Sequence, residues 1–124
     1  MTGPEIEKRK TELYSKYYGE NSRTLDNLKM AWTKEDETEM EELSCRNMIN
    51  SCLIYGSDPF RTITKHWCRH GYCTRSYMSD YEDTLGKERV KVLVDEQRET
   101  ISKATIRHNV YEDSEGCTYN SVDW

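Results

Sequence analysis

The sequence predicts an α+β domain that is mainly helical, with three to four helices and a C-terminal β-hairpin. Apolar residues recur at helical spacing in several segments before position 105. After that position they alternate in two runs, and the turn sequence DSEG at 113–116 separates the runs, as in a hairpin. The 124 residues contain no linker-like stretch, so residues 1–124 are expected to form a single domain.

The first two helices are predicted between positions 2 and 32. Thr2 and Glu5 fit a capping box, the reciprocal pair of hydrogen bonds that starts many helices, and helical spacing then continues to about position 19. Leu25, Leu28 and Trp32 suggest a short second helix. The first of these helices is expected to bury one narrow apolar stripe.

The longest predicted helix begins at Thr33, which can cap it together with Asp36. Six acids lie within positions 35–42, and negative charge is favourable at the positive end of a helix dipole. The second half is apolar, and a turn of 100° per residue places on one face Cys45, Met48, Ile49, Cys52 and Tyr55. This half is therefore the predicted core helix, and Pro59 follows its end.

Residues 83–104 fit two patterns. Val90, Leu93, Val94 and Ile101 follow helical spacing, whereas the sequence RVKVLV at 89–94 also alternates as a strand does. Because the helical pattern continues through the sequence DEQRETISKA, a helix is favoured here.

Composition and charge argue against several classes of protein. No run of 18 apolar residues occurs, so no membrane partner is expected. The first ten residues lack the apolar segment of a secretory signal, and five cysteines is an odd number, so a cytoplasmic location with reduced thiols is expected. A net charge of -5 argues against general coating of nucleic acid.

The segment from Pro59 to Tyr77, called the basic segment below, is the first candidate for a site. It contains four basic residues and no acid, and acidic segments flank it. Its basic and aromatic members are Phe60, Arg61, Lys65, Trp67, Arg69, Tyr72, Arg75 and Tyr77. Basic charge with stacking faces is what single-stranded nucleic acid needs, so a nucleic-acid-binding module is one alternative.

The same segment holds four ligand types that zinc prefers, namely His66, Cys68, His70 and Cys73. All four are local in sequence, whereas single zinc sites usually pair two separated ligand pairs. A zinc ion that stabilises the nucleic-acid-binding alternative is thus possible from this cluster, although no cofactor is the favoured prediction.

A cysteine-dependent enzyme is a further alternative, since Cys68 or Cys73 lies near His66 or His70 in the sequence. The segment has no Asp or Asn to orient such a pair and no recognisable catalytic signature. A non-catalytic protein is therefore predicted.

Protein binding is the favoured function. Nine Tyr, three Trp and five Met supply residue types that are enriched at interfaces. The acidic helix start, with Glu35, Asp36, Glu37 and Glu39, and the basic segment would orient a partner protein or build a homodimer. The size, acidity and tyrosine content are similar to those of small phage-encoded accessory proteins, including inhibitors of host or defence complexes; the similarity is one of composition only.

Overall fold

A computed structural model describes residues 1–18, 32–68 and 71–124, with all their side chains except 18, 64–68 and 72–74. The helices are α1 (Gly3–Tyr18), α2 (Lys34–Ile54), α3 (Ser79–Leu85) and α4 (Lys87–Ser102). The strands are β1 (Ile63–Cys68), β2 (Gly71–Ser76), β3 (Thr105–Glu112) and β4 (Thr118–Asp123). The predicted α+β class, mainly helical with a C-terminal hairpin, is confirmed. The short helix predicted around Leu25 and Leu28 falls outside the described residues.

α1 begins with the predicted capping box. The Glu5 N–H donates to Thr2 Oγ1 at 3.3 Å, and the Thr2 N–H donates to Glu5 Oε1 at 3.0 Å. Its buried stripe contains Ile6 and Leu13, which pack with Leu43 of α2 into one apolar cluster. The stripe is narrow because only one side of α1 meets the rest of the domain.

Charged side chains attach α1 to the start of α2. Thr33 caps α2 by accepting from the Asp36 N–H at 3.2 Å, and the Asp36 carboxylate accepts from Lys16 Nζ at 2.6 Å. The bond from Lys16, and after it one from the Tyr17 hydroxyl, hold the pKa of the Asp36 carboxylate below its usual range. The Glu39 carboxylate likewise accepts from Arg9 at 2.8 Å.

The middle of α2 contributes to the main apolar cluster of the described residues. Cys45 and Ile49 are fully buried there against Met78 and the buried face of α4, which consists of Val90, Leu93 and Val94. Tyr55, which the helical projection placed on the same face, lies at the C-terminal cap and is exposed. The predicted core helix is thus buried on the Cys45–Ile49 side, and its last turn reaches solvent.

The ambiguous segment 83–104 is helical, as favoured. Gly86 separates α3 from α4, since its φ of 88° is incompatible with a continuous helix. Glycine adopts such a backbone conformation more easily than other residues do. Residues 89–94 lie within α4, so the strand alternative is wrong. Among the described residues, no helix is long and apolar enough to cross a membrane.

Two antiparallel hairpins complete the fold. β1 and β2 pair through residues 63–76, a hairpin that the sequence pattern did not predict. β3 and β4 form the predicted C-terminal hairpin, and its register is irregular between Arg107 and Tyr111, where Asn109 has a φ of 56°. The C-terminal hairpin is mostly exposed, and the Asn120 side chain anchors it by donating to the Ile54 carbonyl at 2.9 Å.

Candidate functional site

Both described bases of the basic segment, Arg61 and Arg75, lie close to carboxylates. Arg61 is largely exposed and lies 3.7 Å from a carboxylate oxygen of Asp58. Arg75 pairs with Asp80 at 3.1 Å and with Asp83 at 2.6 Å. The two carboxylates beside Arg75 offset its charge, whereas Asp58 also lies 3.5 Å from Arg98 and therefore offsets the charge of Arg61 only in part.

The aromatic residues of the same segment have different environments. Phe60 is exposed, whereas Tyr77 is half-buried and packs against the main apolar cluster. The predicted binding residues Lys65, Trp67, Arg69 and Tyr72 have side chains outside the described part of the structure. Of these two aromatic side chains, Tyr77 is therefore the one that is packed against the fold, and it also lines a surface groove.

The predicted zinc ligands His66, Cys68, His70 and Cys73 also have side chains outside the described part. The strand register pairs the main-chain positions of His66 and Cys73, and it pairs Cys68 with Gly71. Elsewhere, the described side chains contain no group of three His, Cys, Asp or Glu arranged to hold a metal ion.

The acidic helix start divides into internal and exposed members. Asp36 and Glu39 are engaged with α1, and Glu42 pairs with Arg89 of α4. Among the described side chains, these three acids pair with basic residues of α1 and α4 and not with the basic segment. Glu37 is exposed, as is Glu35. Part of the predicted acidic surface therefore stabilises the fold, and part of it remains on the surface.

Among the described residues, one face of α2 is not buried by its neighbours. It consists of Glu37, Glu41, Ser44, Met48, Ser51 and, at the C-terminal cap, Tyr55. Every one of these residues is exposed or only partly buried. Their spacing alternates between four and three residues, which keeps them in a stripe about 80° wide on a helix of 3.6 residues per turn. This set is called the α2 stripe below.

Three hollows lie between the α2 stripe and the segment formed by the end of β2 and α3. The first, of about 240 Å³, lies between Glu41 and Leu85. The second, of about 470 Å³, lies between Ser44 and Tyr81. The third, of about 370 Å³, extends from Met48 past Ser51 to Tyr55 and Thr62.

These hollows adjoin one another along α2, and together they are called the α2 groove below. Glu41 lines both the first and the second hollow, while Met48 and Tyr77 line both the second and the third. The α2 stripe spans about 27 Å, since each helical residue rises about 1.5 Å. The groove is therefore long enough for a segment of a partner protein, and it is open to solvent.

The α2 groove changes in character along its length. Its end near the start of α2 is lined by the acids Glu37 and Glu41 and by the base Lys34, and Asp80 lines the second hollow. The Thr84 hydroxyl donates to Glu41 at 3.3 Å across this end. The other end is lined by methionine and tyrosine side chains, namely Met48, Tyr55, Tyr77 and Tyr81. An acidic end thus leads into an aromatic one.

The sequence pattern missed most of this site. Glu37 and Tyr77 were among the predicted binding residues, whereas Met48 and Tyr55 were placed on the core face of the helix. The residue types at these positions gave no signal, since Glu37, Glu41, Ser44 and Ser51 are typical of a solvated helix face. The opposite wall of the groove, in addition, comes from a distant part of the chain.

The two cysteines of α2 are poorly suited to nucleophilic chemistry. Burial raises the pKa of the fully buried Cys45 thiol to about 12. Cys52 lines the α2 groove, but it is nearly buried, and burial raises the pKa of its thiol as well. Since the thiolate is the reactive form, both groups are weak nucleophiles at neutral pH.

We expect Cys117 to be alkylated by iodoacetamide about a hundredfold faster than Cys45 in the folded protein. Cys117 is exposed in the turn of the C-terminal hairpin, whereas Cys45 needs an opening of the core before it can react. Mass spectrometry of digests taken over a time course measures both rates. The same experiment in urea is the control, in which the two rates should converge. Equal rates without urea would show that Cys45 is accessible.

The α2 groove is thus the candidate functional site among the described residues. The groove is built from residues of α2, β2 and α3, which the fold brings together from separate parts of the chain. No protein-family model matches the chain, and neither the curated proteins nor the solved structures give a match.

Proposed function

We propose that this protein is a non-catalytic binding protein and that the α2 groove receives a partner protein. The observation that carries the proposal is the α2 stripe, an exposed face of the central helix bordered by tyrosines. Tyrosine and methionine are enriched at protein interfaces. An inhibitory or accessory role fits such a surface, because occupying a partner needs no reacting group.

The charges of the described residues favour a protein partner over nucleic acid. The acids at one end of the α2 groove would repel a phosphate backbone, and Arg75 is already paired with two carboxylates. Binding of nucleic acid depends on basic residues that neutralise phosphates. The partner surface that complements this groove is basic at one end and apolar at the other.

Tyr55 and Tyr111 provide a matched test of this function. They are 52% and 59% exposed, but Tyr55 lines the α2 groove and Tyr111 lies on the C-terminal hairpin. We expect Tyr55→Ala to reduce the recovery of a co-purifying partner by about tenfold or more, since a tyrosine in an interface often dominates binding. Tyr111→Ala should leave the recovery unchanged.

The experiment is affinity capture from cells of the source organism with the wild-type chain and both variants. Quantitative mass spectrometry compares the captured proteins, and thermal unfolding confirms that the variants remain folded. Equal capture by all three chains would place the binding surface elsewhere. The absence of any stoichiometric partner for the wild-type chain would contradict the proposed function.

A further inference from the structure

The α2 stripe runs nearly straight along its helix. Its members are separated by four, three, four, three and four residues, which keeps them along one line of the helix, with Met48 and Tyr55 as its apolar members. Helices that pack along such a line cross at a small angle and stay in contact over several turns. A straight helical partner can therefore follow the whole stripe, whereas a compact loop would contact only one of the hollows.

Small residues create two recesses along the stripe. Ser44 lines the second hollow and Ser51 lines the third, and Met48 lies between them. Seven residues separate the two serines, which corresponds to about 10.5 Å along the axis. Residues one heptad apart on a facing helix have the same separation, so two of its apolar side chains can enter both recesses at once.

The charges that line the groove indicate which residues lie beside the apolar stripe of the occupant. Of the described side chains that line the groove, Glu37 and Glu41 face one base, Lys34, at the end near the start of α2, and Asp80 lies in the second hollow. Arg75 contacts Asp80 from the β2 side, but it is shared with Asp83. A partner with Lys or Arg next to its apolar stripe would therefore meet complementary charge.

We infer that the α2 groove binds a basic amphipathic α-helix of a partner protein, which inserts two apolar side chains one heptad apart at Ser44 and Ser51. This inference depends on the proposed function and specifies the kind of partner. An extended peptide, an acidic ligand and a second copy of the chain are the competing occupants, and the experiment below tests helical form, basic character and dimer formation separately.

The test uses the full chain and three synthetic peptides of about 21 residues, or three heptads. The first has leucine at the seam positions and Lys or Arg elsewhere. The second keeps the leucines and replaces the bases with Glu, and the third has the composition of the first in a permuted order without an apolar stripe. Fluorescence anisotropy measures the affinity of each peptide, and circular dichroism detects helix formation on binding.

We expect the first peptide to bind and become helical, and the second and third to bind at least about tenfold more weakly. Equal affinity for the first two peptides would overturn the basic character of the occupant. Equal affinity for the first and third would overturn its amphipathic helical form. No binding of the first peptide would overturn the inference as a whole. Light scattering of the free chain tests the competing homodimer, and a stable dimer closed through the α2 stripe would also overturn the inference.

Substitution at the recesses tests the location. Ser44→Phe fills the second hollow, and Ser51→Phe fills the third at an exposed position where the fold tolerates the change more easily. Each should weaken the first peptide by about tenfold or more. Ser102→Phe is the matched control, since Ser102 is exposed at the end of α4 and lines none of the three hollows. Unchanged affinity in both recess variants would place the helix elsewhere.

The outcomes also distinguish this inference from the proposed function. If Tyr55→Ala abolishes capture of a partner while the basic peptide fails to bind, the groove is a binding site and its occupant is not a basic helix. If the peptide binds and is weakened by Ser51→Phe but no partner is captured with the wild-type chain, the groove accepts such a helix and the proposed function fails in that source.

Discussion

Gln97→Leu is expected to lower the free energy of unfolding by about 3 kcal/mol, because it removes the centre of a buried polar network. The Gln97 side chain is fully buried, accepts from Arg46 Nη1 at 2.9 Å and donates to Asn50 Oδ1 at 2.6 Å. It also donates to the Met1 carbonyl at 2.8 Å. Leucine has a similar size, so the expected loss comes from unpaired groups rather than from a cavity.

The neighbours of Gln97 cannot easily find new partners. The Nδ2 atom of buried Asn50 already has no hydrogen-bond partner in the described structure, and the substitution would leave Oδ1 unpaired as well. Arg46 keeps its contact with Glu96 at 2.6 Å, which limits its loss. The cost is therefore dominated by an amide that stays buried without partners.

Urea unfolding followed by circular dichroism measures this change, with Glu99→Leu as an exposed control on the same helix. The control should change stability by less than about 0.5 kcal/mol. Asn50→Leu combined with Gln97→Leu should cost less than the sum of the single changes, since both partners of one bond are then removed. A loss below about 1 kcal/mol for Gln97→Leu alone would show that this network contributes little to stability.

Local signals were sufficient for α1, for α2 and for the C-terminal hairpin. The capping pairs at Thr2 and Thr33 depend on side chains three residues apart, so short-range sequence contains the information. The C-terminal hairpin was predicted because a turn sequence separates two alternating runs. In each case the stabilising contact lies within a few residues or across one turn.

The β1–β2 hairpin was missed because its sequence does not show a clear alternation of apolar and polar residues. The hydrogen bonds between the two strands of a hairpin join main-chain groups, so they depend little on residue type. The acidic helix start shows a related limit. Asp36 and Glu39 form ion pairs because Lys16 and Arg9 face them from α1. These pairs depend on how the two helices pack, which the local sequence does not specify.

The α2 groove could not be predicted for the same reason. Met48 and Tyr77 line it together only because β2 leads into α3 beside the central helix. The helical projection placed Met48 with Cys45 and Ile49, which is nearly correct in angle, but an offset of a fraction of a turn separates a core position from a groove position. Such a distinction needs the neighbouring elements, which only the tertiary structure supplies.

Ile49→Ala and Met48→Ala are expected to separate stability from binding on this one helix. Ile49 is fully buried in the main apolar cluster, so its truncation should lower the free energy of unfolding by about 3 kcal/mol through lost burial and a cavity. Met48 is only partly buried and lines two hollows, so its truncation should cost about 1 kcal/mol or less. The basic peptide should bind Ile49→Ala normally and bind Met48→Ala about tenfold more weakly.

The comparison is informative because the two residues are adjacent and lose similar volume. Urea unfolding gives the stability of each variant, and peptide anisotropy in the absence of urea gives the affinity of the folded fraction. If both variants lost stability and affinity in the same proportion, the groove wall would be part of the core, and its binding would merely follow folding. If Met48→Ala lost affinity alone, the exposed face of α2 would be an independent surface whose cost to the fold is small.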